Sequence, residues 1–259
     1  MGPVTLGFLA SLLAGLLTAV GALPVLAGRA VSQRLNDVLL GFAAGVMLSA
    51  SFFSLIVPGL EAARTTYGGA AIAAGIAAIG VLIGAAFIAF LNERVPHEHF
   101  FQGTQGPASP AVARIWLFVL AITIHNVPEG LAVGVGFGGG DVARGTTLAI
   151  GIGLQNAPEG LAVALALMTC GYSRAHAFAV AALTGLAEPI AGLAGALAVS
   201  LSLLALPWAL TFAAGAMIYV ISHEIIPETH RHGNENIATI GLTVGLVVMM
   251  LLDTAFASA

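Results

Sequence analysis

Eight apolar stretches, each long enough to cross a membrane, account for almost the whole chain. A helix needs about 20 mainly apolar residues to span the hydrocarbon of a bilayer. Inside lipid a backbone must satisfy its own N–H and C=O groups, and single segments of this length do so as helices. The sequence therefore predicts an all-α membrane protein with eight transmembrane helices. We number them span one to span eight, at 4–28, 37–60, 69–91, 114–137, 145–170, 174–201, 206–228 and 237–258.

The composition agrees with a lipid environment and leaves no room for a second kind of domain. Only 8% of the 259 residues are charged and the mean hydropathy is +1.02, whereas about a quarter of the residues of a soluble domain are charged. The net charge of −4 is small and scattered, which argues against a nucleic-acid partner. The first stretch lacks a basic leader and a cleavage site, so we expect it to be retained. We predict one polytopic domain over 1–259.

The arginines predict how the chain is oriented, because cytoplasmic loops carry the excess of positive charge. Loops one, three, five and seven hold six arginines, and loops two and four hold two. Both termini are therefore predicted to lie outside the cytoplasm. The longest connection, 92–113, is then a cytoplasmic loop, and it contains His97 and His99.

A six-residue polar motif occurs twice, once in span four and once in span five. Side chains four residues apart share a helix face, so His125 lies beside Glu129 and Gln155 beside Glu159. An ionised carboxylate in hydrocarbon costs several kcal/mol, so a Glu at this depth indicates a functional site. The two copies are His125-Asn126-Val127-Pro128-Glu129-Gly130 and Gln155-Asn156-Ala157-Pro158-Glu159-Gly160.

The spacing of the two copies predicts that they meet. Thirty residues equal one span plus a short loop, so spans four and five run antiparallel and carry the motif at similar depth. Inverted repeats around a midplane site are typical of transporters. Pro128 and Pro158 should also free the carbonyls of Ile124 and Leu154, which is tolerated at this depth only where the backbone is buried or lines a cavity.

Other polar residues within the spans extend this predicted site. Glu188-Pro189 in span six repeats the pairing of acid and proline and adds a third carboxylate. In span two, Met47, Ser51 and Ser54 share one helical face. Towards the span ends, His223 and Glu224 lie at the inner end of span seven, and Glu61 and Asp253 at the outer ends of spans two and eight.

The mixture of ligand types indicates which ions the site would take. Carboxylate, imidazole and thioether groups together suit a borderline divalent ion such as Zn²⁺, Cd²⁺ or Fe²⁺ better than Ca²⁺ or Mg²⁺. Several carboxylates in one apolar region repel each other, and a divalent cation relieves that repulsion. The candidate metal residues are Met47, His125, Asn126, Glu129, Gln155, Asn156, Glu159, Glu188, His223 and Glu224.

Three other interpretations remain open at this point. The polar residues could form only a structural hydrogen-bond network between helices. The chain could be an intramembrane metalloenzyme, although His223-Glu224-Ile225-Ile226-Pro227 has Pro227 where the zinc-protease motif needs its second His. It could also be a channel-like pore for the same ions.

The duplicated motif resembles that of the ZIP (Zrt-, Irt-like) family of divalent metal transporters, in particular its bacterial members. The resemblance covers nearly all the chain, including the eight spans and the His-containing loop. It implies a 3+2+3 bundle with inverted pseudo-symmetry, in which spans one to three and six to eight flank spans four and five. It also implies import of zinc, or of cadmium, iron or manganese, across a bacterial inner membrane by alternating access. We further consider a homodimer.

The resemblance also implies a site for two metal ions, bridged by Glu129 and Glu159. Many members carry His where Gln155 stands, and some carry Asp where Asn156 stands. Amides are neutral and weaker ligands, so we expect a second ion to be loosely held or absent here. The first position would comprise Met47, His125, Glu129, Gln155 and Glu159, and the second Asn126, Glu129, Asn156, Glu159 and Glu188.

Overall fold

The computed structural model describes residues 1–28, 31–94, 97–99, 103–105, 114–169, 171–230 and 232–257. Almost all of them are helical. The α-helices are Pro3–Leu26, Gln33–Ser49, Val57–Tyr67, Ala70–Arg94, Arg114–Gly138, Val142–Thr169, Arg174–Thr184, Ala187–Leu201, Leu206–Val220, Ile226–Thr229 and Glu235–Ala257, with π-helical segments at Ala50–Ile56 and Ile221–Ile225 and a 3₁₀ turn at Leu203–Ala205.

These helices lie where the apolar stretches predicted them, so the all-α membrane fold is confirmed. In the described part of the chain, seven helical spans are long and apolar enough to cross a membrane, and Arg114–Gly138 is span four. Span two runs from Gln33 to Tyr67, further at both ends than predicted. Large apolar side chains that face outward, such as Leu82 and Ile190, are what a bilayer would cover.

The predicted loop over 92–113 is described only in part. Two short strands, His97–His99 and Gly103–Gln105, pair antiparallel within it. Residues 95–96, 100–102 and 106–113 lie outside the described residues, as do the side chains of His97 and His99 and the arginines Arg29 and Arg231.

Prolines explain why three spans are irregular. The π-helical segments in spans two and seven come just before Pro58 and Pro227, because a proline ring clashes with the carbonyl four residues back and a wider turn relieves the clash. Span six, predicted as one helix over 174–201, is interrupted between Thr184 and Ala187. Pro189 thus lies in a first helical turn, where its missing N–H costs little, and it brings Glu188 to a helix N-terminus.

The bundle has the inverted pseudo-symmetry that the resemblance implied. Span one packs on span five as span six packs on span four, and span two packs on span eight as span seven packs on span three. The sequence Phe-Ala-Ala-Gly-x-Met occurs at 42–47 and again at 212–217. Its glycine contacts the backbone of Leu242 in span eight in the first copy and that of Val81 in span three in the second. Spans one and six run in opposite directions, so the repeat is inverted.

Close backbone contacts at glycines divide the spans into two sets. Where a Cβ would stand, these glycines meet the backbone of another span, so the helices approach as closely as small residues in membrane bundles permit. Among the described glycines, every such approach closer than 3.0 Å to backbone joins spans within one set. In the set of spans one, four, five and six, the pairs are Gly15–Gly185, Gly21–Ala157, Gly130–Glu188, Gly134–Gly192, Gly160–Thr18 and Gly195–Leu131. In the set of spans two, three, seven and eight, they are Gly41–Ala238, Gly45–Leu242, Gly84–Phe212, Gly215–Val81, Gly241–Val38 and Gly245–Phe42.

Candidate metal site between spans four, five and six

The two copies of the motif meet through their side chains. The Gln155 amide Nε2 of span five donates to Glu129 Oε1 of span four over 2.6 Å. Both side chains are fully buried. Antiparallel neighbours with the motif at equal depth therefore do bring the copies together, and the amide of one copy stabilises the carboxylate of the other.

A second amide holds the carboxylate of span six. Asn156 Nδ2 donates to Glu188 Oε1 over 2.7 Å and to the backbone carbonyl of Ala14 over 2.8 Å. Gln155 Nε2 also lies 3.3 Å from Asn156 Oδ1. Asn156 and Glu188 are fully buried. With both donors used, the Asn156 amide cannot turn over without setting its oxygen against two acceptors.

Four buried oxygen atoms at this centre find no hydrogen-bond donor in the described part of the chain. They are Glu129 Oε2, Gln155 Oε1, Glu159 Oε1 and Glu188 Oε2. The carboxylates of Glu129, Glu159 and Glu188 also lie close enough for their charges to interact. A buried acceptor without a partner costs about 1–3 kcal/mol, so the cluster is complementary to a cation.

His125 contacts an acidic residue of another span. Its Nε2 contacts Glu224 Oε2 of span seven. The other Glu224 oxygen accepts from Asn92 Nδ2 of span three at 3.1 Å, and His223 packs on the ring of Tyr219 with 5.1 Å between centroids. The predicted His223-Glu224 pair is thereby connected to the motif through one imidazole.

The predicted set also includes Met47 and Asn126, and both are buried. Met47 is fully buried within an apolar cluster that also contains Ile152 and Met217, and Asn126 is buried as well. Among the described residues, no three His, Cys, Asp or Glu side chains already surround one point as a complete ligand set.

A separate polar pair lies at another part of the bundle. Ser54 donates to Asp253 Oδ1 across spans two and eight, and Asp253 Oδ2 has no hydrogen-bond partner in the described part of the chain. Glu61 is exposed nearby in sequence, at the end of span two. The sequence singled out all three residues but did not predict that Ser54 and Asp253 pair.

Reasoning from the sequence missed two hydrogen-bond partners of these residues, the Asn92 side chain and the Ala14 carbonyl. Asn92 is a lone amide at the end of an apolar span, and its buried position beside Glu224 could have been suspected only from its rarity there. The carbonyl of Ala14 carries no sequence signal at all, since every residue has one. Both contacts depend on how the spans are rotated about their axes.

Taken together, this is a multi-pass helical membrane protein with a buried carboxylate cluster between antiparallel, proline-containing spans, an arrangement typical of ion transporters. The family profile described as ZIP zinc transporter matches residues 97–253. The chain belongs to the ZIP zinc transporter family. Its membership places it among transporters and not among enzymes.

Full-length relatives support the same assignment. Zinc transporter ZIPB of Bordetella bronchiseptica is 50% identical over 238 residues, which cover 92% of this chain and 77% of the relative. Zinc transporter GufA of Myxococcus xanthus is 47% identical over 247 residues, covering 95% and 97%. Zinc transporter ZIP11 of Homo sapiens is 38% identical over 318 aligned positions, covering 92% and 93%.

Proposed function

We propose that this protein imports zinc into the cytoplasm through a metal site at the membrane midplane. One observation carries the proposal: the two copies of the motif meet at the Gln155–Glu129 hydrogen bond, beside carboxylate oxygens that lack donors. The names of the relatives support zinc as the substrate. Cadmium, iron and manganese are the other ions that this mixed ligand set would accept.

The proposed substrate ligands come from spans two, four, five and six. Zinc would bind the oxygens of Glu129, Glu159 and Glu188 that lack hydrogen-bond donors. Before the ion binds, the hydrogen bonds from the two amides would offset part of the repulsion between the carboxylates. The proposed set at the midplane is Met47, His125, Asn126, Glu129, Gln155, Asn156, Glu159 and Glu188, for one tightly bound ion and at most a weaker second one.

His125 is well placed to pass the ion onward. It belongs to the motif and contacts Glu224, so one imidazole can serve both the midplane site and the inner acidic group. His223 and Glu224 would then receive zinc on its way to the cytoplasm. The arginine bias supports this direction, with both termini outside a bacterial inner membrane and Ser54, Glu61 and Asp253 at the outer side.

The two sets of spans support alternating access. Spans one, four, five and six share close backbone contacts and carry most of the ligands, so they would move as one body. Spans two, three, seven and eight form the other body, which holds Met47 and Glu224. Large side chains fill the boundary at glycines, as where Met249 lies over Gly151. Sliding there would expose the site to each side in turn.

The proposal is tested by zinc uptake into proteoliposomes. Glu129→Ala and His125→Ala should each lower the initial rate at least tenfold, because each removes a group the ion would bind. Glu235→Gln, which changes an exposed carboxylate at the start of span eight, should transport like the parent. Uptake should saturate with zinc and show counter-transport, as expected of a carrier and not of a pore. Parental rates in both site variants would refute the assigned site.

A further inference from the structure

A second cluster of metal-ligating side chains lies outside the central site. It joins the first turns of span two to the connection between spans seven and eight, and we call it the Asp37 cluster. Asp37 is a fully buried carboxylate, while the His232 side chain is a quarter exposed. The members of the cluster are Gln33, Asp37, His232 and Asn234.

Three polar side chains lie against the Asp37 carboxylate. Gln33 Nε2 donates to Asp37 Oδ1 over 2.8 Å, and Asn234 Nδ2 donates to Asp37 Oδ2 over 2.8 Å. His232 Nδ1 lies 3.3 Å from Asp37 Oδ1 and 3.2 Å from Gln33 Nε2. Three atoms, one from each of Gln33, Asp37 and His232, thus form a triangle.

No tautomer of a neutral His232 satisfies all three edges of that triangle. The Gln33 amide nitrogen only donates and the Asp37 oxygen only accepts. If His232 Nδ1 accepts from Gln33, its lone pair faces the Asp37 lone pairs. If Nδ1 carries the proton and donates to Asp37, it faces the Gln33 N–H. One edge always sets like against like, and a cation between Nδ1 and Oδ1 removes that conflict.

The dimensions of the triangle match a transition-metal site. In a tetrahedral zinc site with bonds of about 2.0–2.1 Å, neighbouring ligand atoms lie about 3.3 Å apart, which is the separation of His232 Nδ1 and Asp37 Oδ1. Rotating the Gln33 amide by half a turn then brings its oxygen towards the ion as a third ligand. Imidazole with carboxylate and amide oxygen suits Zn²⁺ or Co²⁺ better than Ca²⁺.

We infer that the Asp37 cluster binds a divalent transition-metal ion at the end of the bundle where span two begins. The chemistry of the site depends only on the four side chains. Its place on the cytoplasmic side, as a station for ions after they leave Glu224, rests on the proposed function.

Cobalt binding to the purified full-length protein tests this inference. Co²⁺ is titrated by equilibrium dialysis, and its visible absorption reports the bound ion. The background carries Glu129→Gln and Glu159→Gln, which weaken the central site. His232→Asn keeps a polar side chain beside Gln33 and Asp37 but removes the imidazole. We expect it to lower the affinity for one Co²⁺ per chain at least tenfold, and Asp37→Asn to do the same.

His230→Ala is the matched control. His230 lies two residues from His232, but its Nδ1 is 2.8 Å from the carbonyl of Ile226 in its own helix, so this variant should keep the ion. Equal Co²⁺ binding in His232→Asn and in the background would overturn the inference, and the cluster would then be only a hydrogen-bonded staple. If Asp37→Asn does not fold, His232→Asn alone decides. Zinc uptake by Glu129→Ala tests the central site separately, so the two ideas can fail independently.

Discussion

Two neutral amides hydrogen-bond the buried carboxylates of the central site. Gln155 and Asn156 each donate to one oxygen of a buried carboxylate, Glu129 and Glu188 respectively. A hydrogen bond to a charged group contributes about 1.5–3 kcal/mol, which offsets part of the cost of burying the charge. The other oxygen of each carboxylate stays available. At the scale of single residues, the amides stabilise the buried carboxylates and leave one oxygen of each without a donor, as the proposed metal site requires.

Asn156→Asp should make the stability of the protein depend strongly on zinc. The change replaces two donors by a carboxylate that faces Glu188 and the Ala14 carbonyl, so without metal we expect a loss of about 2 kcal/mol or more. Added zinc should restore more stability than it gives the parent, since the variant offers a further anionic ligand. Thermal unfolding in detergent with and without zinc measures both effects.

Asn156→Ala separates the lost hydrogen bonds from the added charge. It removes the same two donors without introducing a carboxylate, so it should be destabilised while its gain from zinc stays close to the parental gain. An equal response to zinc in the Asp and Ala variants would contradict the role given to charge.

At the scale of elements, the glycine that ends each motif decides how closely the spans pack. The place of a Cβ at Gly130 is already taken by the backbone of Glu188, and at Gly160 by that of Thr18. The motif therefore carries its carboxylate and its packing surface only one residue apart. Adjacent positions of one helical turn therefore bring Glu129 to the site and hold span four against the start of the second half of span six.

Gly130→Ala should separate span four from Glu188 and lower stability. Overpacking of this kind costs about 1–3 kcal/mol, more than the roughly 1 kcal/mol that Ala gains over Gly in a helix. Unfolding in detergent should show a net loss, and zinc uptake should fall with it because Glu188 shifts. At Gly75 in span three, nothing lies within 4 Å of an added Cβ, so Gly75→Ala should be neutral or slightly stabilising. A Gly130→Ala variant as stable as Gly75→Ala would show that the contact is not as close as described.

At the scale of the whole molecule, the bundle consists of two bodies, and the contacts within each body differ in kind from the contacts between them. Within each body, backbones meet at glycines; between the bodies, side chains such as Met249 and Leu206 cover Gly151 and Gly139. Flexible side chains over glycines form a smoother boundary than interlocked backbones. The proposed motion is therefore expected at this boundary.

Gly151→Val should slow transport without removing the metal site. The added side chain presses on the Met249 sulfur across the boundary, and we expect zinc uptake to fall about tenfold, which corresponds to about 1.4 kcal/mol in the barrier. Zinc affinity, measured by equilibrium dialysis, should change little. Adding Met249→Ala should restore much of the rate, because it vacates the space that the new side chain needs.

The control for this boundary is Gly153→Ala, whose Cβ would meet the Leu17 side chain inside the same body. It should leave the uptake rate nearly unchanged. The absence of any rescue by Met249→Ala in the Gly151→Val background would mean that the two residues do not limit the motion.

The sequence alone predicted the parts of this protein that depend on local physics. The eight spans follow from apolar length, because a single apolar segment of about 20 residues satisfies its backbone in lipid as a helix. The 30-residue spacing of Glu129 and Glu159 predicted that the copies of the motif meet. The sequence did not predict the interruption of span six before Glu188, although Pro189 lies next to it.

Only the tertiary structure decided which distant side chains touch. The contacts of His125 with Glu224, of Asn92 with Glu224 and of His232 with Asp37 join spans or loops far apart in the chain. In water, an amphipathic pattern would show which face of each helix turns inward. Lipid is as apolar as the interior of the bundle, so hydropathy does not fix the rotation of a helix about its axis. Here that rotation is set by close packing at glycines and by the few buried polar pairs, which become visible only once all eight spans are assembled.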